Sequence, residues 1–140
     1  MSFDVFLNFD GDCREAMEFY AAAFRLEMPE RIMTYGDAPG FEGPEADRGR
    51  IIYASLPIFG CNVMFSDCPS AGSAEYVKGT NIALTLGSGD AQEIRRLYAA
   101  LSEGGEVSMP LGPTFFSELY AMVTDRFEIT WQLSLTPFEG

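Results

Sequence analysis

Phe3, Val5, Leu7 and Phe9 stand at alternate positions, with Asp4 and Asn8 between them, the period of two that marks a strand buried on one side. The period then lengthens. Ala16, Phe19, Tyr20, Ala23 and Phe24 recur at the spacing of one buried helical stripe, and Asp12 with Glu15 three residues on predicts a capped start. A strand over residues 28–35, a loop rich in Gly, Pro and acid, and strands over residues 50–58 and 61–66 joined at Phe59-Gly60 complete a βαβββ order.

The order returns in the second half. Residues 81–86 alternate again, Asp90 with Glu93 opens a helix carrying Ile94, Leu97, Tyr98 and Leu101 on one face, and Gly104-Gly105 ends it. Strands are predicted over residues 106–110, 115–124 and 128–135, the last two divided at Asp125-Arg126-Phe127. Asp12, Glu15 and Phe19-Tyr20 of the first helix thus reappear as Asp90, Glu93 and Leu97-Tyr98. Duplication is the economical explanation, and chance likeness of two amphipathic helices is the alternative. The expectation is an α+β chain, one domain over residues 1–140 made of two modules, about 1–67 and 79–136.

Composition narrows the partners. A chain of 140 residues with 47% hydrophobic residues has the material for one core. Its longest apolar runs fall well below the roughly 18 residues of a membrane helix. The start, Met1-Ser2-Phe3-Asp4, has neither the basic segment nor the apolar run of an export signal. Cys13, Cys61 and Cys68 are odd in number and irregularly spaced, which suits reduced thiols, so a cytoplasmic location is expected. A net charge of -12 repels phosphate backbones and anionic membranes, which excludes nucleic acid and membrane as expected partners. The acidic loop over residues 36–47 is read as solvated surface.

Several segments, in order along nearly the whole chain, resemble the PhnB-like branch of the vicinal oxygen chelate (glyoxalase/bleomycin resistance/dioxygenase) superfamily. They are Leu7-Asn8-Phe9 through Ala16-Met17-Glu18-Phe19-Tyr20, Met33-Thr34-Tyr35-Gly36-Asp37-Ala38-Pro39, Val63-Met64-Phe65-Ser66-Asp67, and Met122-Val123-Thr124-Asp125-Arg126-Phe127 with Trp131. The resemblance implies paired βαβββ modules forming a cupped mixed sheet around a cavity, in a homodimer. It implies no single reaction, since members include isomerases, lyases, dioxygenases and antibiotic-binding proteins. Some PhnB-like sequences carry a demethylubiquinone methyltransferase label, and no glycine-rich cofactor loop after a parallel strand is visible here to support methyl transfer.

Metal-dependent members take ligands from the first and last strands of each module. Matching those positions gives Asp4, Asn81 and Gln132, with Val63 and Met64 at the fourth, and Tyr53 where relatives often carry a histidine. The chain has no histidine, which removes the commonest ligand for zinc, nickel or iron and the usual neutral-pH base. No metal and no cofactor is therefore expected, a water-completed magnesium site at Asp4, Asn81 and Gln132 being the weak alternative.

Alternation gives a separate view. If Val5, Leu7, Phe9, Ile82, Leu84, Leu86, Ile129, Trp131, Leu133 and Leu135 pack beneath the helices, the other face carries Asp4, Phe6, Asn8, Asn81, Thr85, Thr130, Gln132 and Ser134. Such a face suits a small organic ligand, or it simply meets water. Phe116, Tyr120 and Trp131 are core or cavity wall. Glu118, among Phe115, Phe116 and Tyr120, is the candidate catalytic acid or base if apolar surroundings raise its pKa. Cys68 is read as structural.

Asp4, Phe6, Asn8, Tyr53, Asn81, Thr85, Phe116, Tyr120 and Gln132 are thus the expected ligand-binding residues, in a binding protein without a catalytic transition metal. The competing readings are a lyase or isomerase using Glu118 or Asp4, and a structural dimer whose cavity is filled.

Overall fold

The structure, a computed structural model, describes residues 1–70 and 76–136, and the chain divides into two units, Met1–Tyr76 and Val77–Gly140. In the first unit, β1 (Val5–Phe9) leads to α1 (Cys13–Ala23), β2 (Met33–Thr34), β3 (Ile51–Ile58) and β4 (Cys61–Asp67), with short 3-10 turns at Tyr35–Asp37 and Glu45–Asp47. The strand order is β1-β4-β3-β2, β1 running parallel to β4 and the other pairs antiparallel. Register puts Leu7 beside Phe65, Phe65 beside Ala54, and Val63 beside Leu56, so one face of the sheet is apolar. Helix α1 packs on β3 and β4 of that sheet. Buried Tyr20 lies with its ring 6.0 Å from Phe65, which stacks on Phe9 at 6.1 Å. Full burial of side chains this large contributes about 1.5–3 kcal/mol each.

The second unit repeats the plan: β5 (Leu84–Ser88), α2 (Ala91–Ser102), β6 (Glu106–Gly112), β7 (Tyr120–Thr124) and β8 (Thr130–Leu135), in the order β5-β8-β7-β6, with β5 parallel to β8. Ile94, Leu97 and Leu101 of α2 are buried against this sheet, whose Val123, Trp131 and Leu133 are buried in turn. Both units are thus mixed sheets covered by one helix, and the α+β class with two βαβββ repeats stands.

Two buried aspartates tie the strand ends to the loops. Asp67, at the end of β4, accepts the N–H groups of Gly11 and Cys13 on Oδ1 at 2.8 and 3.0 Å, and that of Ile51 on Oδ2 at 2.9 Å. The start of α1 is therefore capped from a distant strand. Asp12 occupies the cap position but makes no side-chain capping bond, contrary to the sequence expectation. In α2, Asp90 does cap, accepting from Gln92 N–H at 2.9 Å. Glu93 is drawn to Arg96 at 2.7 Å, and the Asp90 N–H goes to Ser88 Oγ, so the expected reciprocal box does not form. Asp125 plays the second unit's organising part, its carboxylate accepting from the N–H groups of Phe127 and Ile129 and from Trp131 Nε1 at 2.8 Å.

Several strands differ from their predicted extent. The strand expected over residues 28–35 contracts to Met33–Thr34, because Asp37 Oδ2 takes the Thr34 N–H and hydroxyl and turns the chain into a 3-10 helix. The strand expected over residues 115–124 starts only at Tyr120. Ahead of it, Thr114 Oγ1 accepts the Ser117 N–H while the Thr114 N–H donates to the Ser117 carbonyl, which closes a turn. β5 begins at Leu84 and β8 at Thr130, so Ile82, expected under the helix, precedes its strand and is 73% exposed.

Candidate ligand-binding site

Alternation fixes what each sheet presents on the side away from its helix. In the first unit, Phe6 lies beside Met64, Met64 beside Ser55, Asn8 beside Ser66, and Tyr53 beside Met33. Phe6, Tyr53 and Met33 are each partly exposed, at 47%, 43% and 43%. Phe6, Asn8 and Tyr53 are thus on one open face. Asp4 precedes β1, exposed, and its carboxylate accepts from the Ser2 hydroxyl at 2.7 Å.

In the second unit, Thr85 lies beside Gln132, Gln132 beside Met122, and Tyr120 beside Ser134. Thr85, Gln132 and Tyr120 therefore share the open face of this sheet, with Met122 and Ser134 as members that the sequence did not single out as ligand contacts. Asn81 lies ahead of β5, outside the strand. Glu118 is exposed, so the apolar enclosure that the acid-base reading required is not around it.

At the end of the second sheet lies a pocket of about 350 Å³ lined by Thr114, Phe115, Phe116, Ser117, Glu118, Leu135 and Thr136. Of the lining residues, Phe116 packs its ring 4.9 Å from that of Tyr120 at 78°, and Phe115 sits edge-on to Phe116 at 5.2 Å. Tyr120 is buried although it points to the open side. Ser117 anchors the floor: its hydroxyl lies 2.9 Å from the carbonyls of both Leu119 and Leu135, and Leu135 N–H donates to Leu119. Thr114, Ser117 and Thr136 escaped the sequence reading because the segment alternates like a strand, while Pro113 and the Thr114 turn chemistry were the available signals.

A separate polar cluster closes the end of the first sheet. Arg50 Nη1 donates to Asp10 and to the Cys68 carbonyl, both at 2.8 Å, and its Nε lies 3.4 Å from Asp47. Asp47, read in the sequence as solvated, is buried. Hydrogen bonding from Ser70, and then the Arg50 charge, hold its carboxyl below the usual range. Burial, then Asp10, pushes the Cys68 thiol up, and burial, then Asp67, does the same to Cys13, so neither is an activated nucleophile.

Two four-stranded mixed sheets of βαβββ order, each with one covering helix, define an α+β protein of the glyoxalase/bleomycin-resistance type. The chain belongs to the PhnB-like family, whose model, described as 3-demethylubiquinone-9 3-methyltransferase, matches residues 2–134. It is similar to the crystal structure of protein PA1353 from Pseudomonas aeruginosa, 34% identical, with a TM-score of 0.83, covering 96% of this chain and 97% of that one. It is similar also to the PhnB protein from Bacillus cereus, 25% identical, TM-score 0.77, covering 97% and 100%. A glyoxalase/bleomycin resistance protein/dioxygenase from Alicyclobacillus acidocaldarius shares the fold at 16% identity and a TM-score of 0.55, over 96% and 90% of the two chains.

The superfamily's metal chemistry does not fit the residues present. Gln132 has Thr85 and Met122 as its strand neighbours, Asn81 lies outside β5, and among the described residues no three His, Cys, Asp or Glu side chains converge. The methyltransferase description raises the question of a cofactor loop. Gly87 and Ser88 are the last residues of β5, paired with Ser134 and Leu135 of the parallel β8, so Gly87-Ser88-Gly89 is mostly strand and not a loop after one. A Cβ on Gly87 would crowd Thr136 at 2.9 Å, and Asp90 already places a carboxylate on the first turn of α2. Gly87 thus serves packing, and a further anionic group at this helix start would meet the Asp90 charge.

Proposed function

We propose that this protein binds a small organic molecule through amide, hydroxyl, thioether and aromatic contacts, without a catalytic transition metal, as a cytoplasmic homodimer. The observation that carries the reading is the second unit's face of Thr85, Met122, Gln132 and Tyr120, with the Tyr120 ring packed on Phe116, which lines the pocket at residues 114–118. Ligand pockets combine such an apolar wall with a few polar groups that fix orientation. The exposed aromatic and methionine side chains of the first sheet's open face support the same reading.

A thermal-shift screen of chelator-treated protein against neutral, cationic and anionic aromatic compounds tests it. Ligands that raise Tm are expected, and Gln132→Ala should weaken them about fivefold, the loss of one net hydrogen bond of about 1 kcal/mol. A flat screen, or one tightly held metal per chain on elemental analysis whose removal abolishes binding, would sink the proposal.

A further inference from the structure

We infer that the pocket at residues 114–118 receives the ammonium end of a small organic cation. This rests on the binding reading above and narrows it to a ligand class. Among the described residues that line it, Glu118 is the one ionisable side chain, and none is cationic. The cationic side chains elsewhere in this unit include Arg96 on Glu93, Lys78 on Glu128 and Arg126 over the Phe127 ring, none of which lines the pocket.

The apolar wall has the matching chemistry. Phe115 is wholly exposed and Phe116 is 57% exposed, so both rings have surface to offer. The two rings, both lining the pocket, meet edge-on at 5.2 Å, and Phe116 is backed by the buried Tyr120 at 4.9 Å. Aromatic faces attract cations through their quadrupole, and a carboxylate beside them adds charge pairing. The lining hydroxyl oxygens of Thr114 and Thr136 can accept from an ammonium N–H. Phe115 and Phe116 are held at this height because Thr114 Oγ1 accepts the N–H groups of Phe116 and Ser117, at 3.4 and 3.1 Å, on a floor fixed by Ser117. About 350 Å³ accommodates an amine with one ring. A net charge of -12 steers cations toward the molecule and anions away.

The test is an amide chemical-shift titration of the full chain with 4-phenylbutylamine, 4-phenylbutanol and 5-phenylvalerate, which share a ring and spacer and differ in charge. Saturable shifts at Thr114, Phe116, Glu118 and Thr136 are expected with the amine, with the alcohol at least tenfold weaker and the carboxylate absent. Glu118→Gln should weaken the amine about tenfold and leave the alcohol unchanged; Glu118 is exposed, so the fold should persist, and Tm checks this. Phe116→Ala should weaken amine and alcohol together, and raised salt the amine alone. Equal binding of amine and alcohol, or an indifferent Glu118→Gln, overturns the inference. So do shifts confined to Thr85 and Gln132, though these leave the sheet-face reading standing. Movement of the Phe115 and Phe116 signals on dilution rather than on adding amine would assign the rings to a second copy of the chain and also overturn it.

Discussion

The buried carboxylate of Asp67 serves three backbone donors, none nearer than 16 residues in sequence. Nothing local marks it, which is why the capping of α1 reads from the sequence as belonging to Asp12. Asp67→Ala would strand the Gly11, Cys13 and Ile51 N–H groups, and a loss of about 3 kcal/mol is expected in urea unfolding. Asp12→Ala should cost under about 0.5 kcal/mol, as its side chain caps nothing. A reversed ranking would return the cap to Asp12. Asp47 escapes the sequence for a related reason: an acid in a run of acids reads as solvated, and only folding brings Ser70 to it beside the nearby Arg50. Its carboxyl, and that of Asp37 under the Thr34 N–H and hydroxyl, lie below their unfolded values. A depressed aspartate contributes stability that is present above about pH 4 and is lost as pH falls through the folded value. The urea midpoint should therefore drop between pH 5 and pH 3, and Asp47→Asn should flatten that drop; an unchanged slope would contradict the cluster's role.

At the scale of elements, stripes and tight turns are the legible features. The helices follow their apolar spacing to within one or two residues, and Phe59-Gly60 takes positive φ at both positions, 49° and 79°, as a two-residue hairpin requires. Two glycines separate conformational from steric cost. A Cβ on Gly60 meets nothing within 4 Å, so Gly60→Ala should cost only the left-handed backbone, about 1 kcal/mol. A Cβ on Gly105, between α2 and β6, would overlap the Thr124 carbonyl oxygen and crowd the Asp125 backbone, so Gly105→Ala should cost clearly more, read as a larger fall in Tm. Equal losses would mean that the β6–β7 approach is looser than described. Segments where alternation misleads are those that a side chain ends early: Asp37 at β2, Thr114 and Ser117 ahead of β7. Periodicity records which side could be buried, and it does not record that a hydroxyl has claimed the backbone hydrogen bonds a strand would need.

At the scale of the molecule, two βαβββ repeats are legible because both halves carry the same periods in the same order, and membership of the PhnB-like family follows over residues 2–134. The site is legible only in part. Phe6, Asn8 and Tyr53 share one open face, as do Thr85, Tyr120 and Gln132, because alternation along a strand survives folding. Asp4 and Asn81 stand ahead of their strands, since sequence matching cannot see where pairing begins. Ser117, Leu135 and Thr136 come together only through the Leu119–Leu135 pairing at the end of the sheet. The absence of histidine from the sequence is the reason the proposed recognition rests on polar and aromatic contacts. The most direct measurement of that claim is an amide chemical-shift map of chelator-treated protein bound to the strongest compound of the thermal-shift screen. The account predicts saturable shifts at Thr85, Met122, Gln132 and Ser134 continuing into residues 114–118, unchanged when zinc or magnesium is added. Shifts that arise only after metal addition, or that avoid both the open face and the pocket, would contradict it.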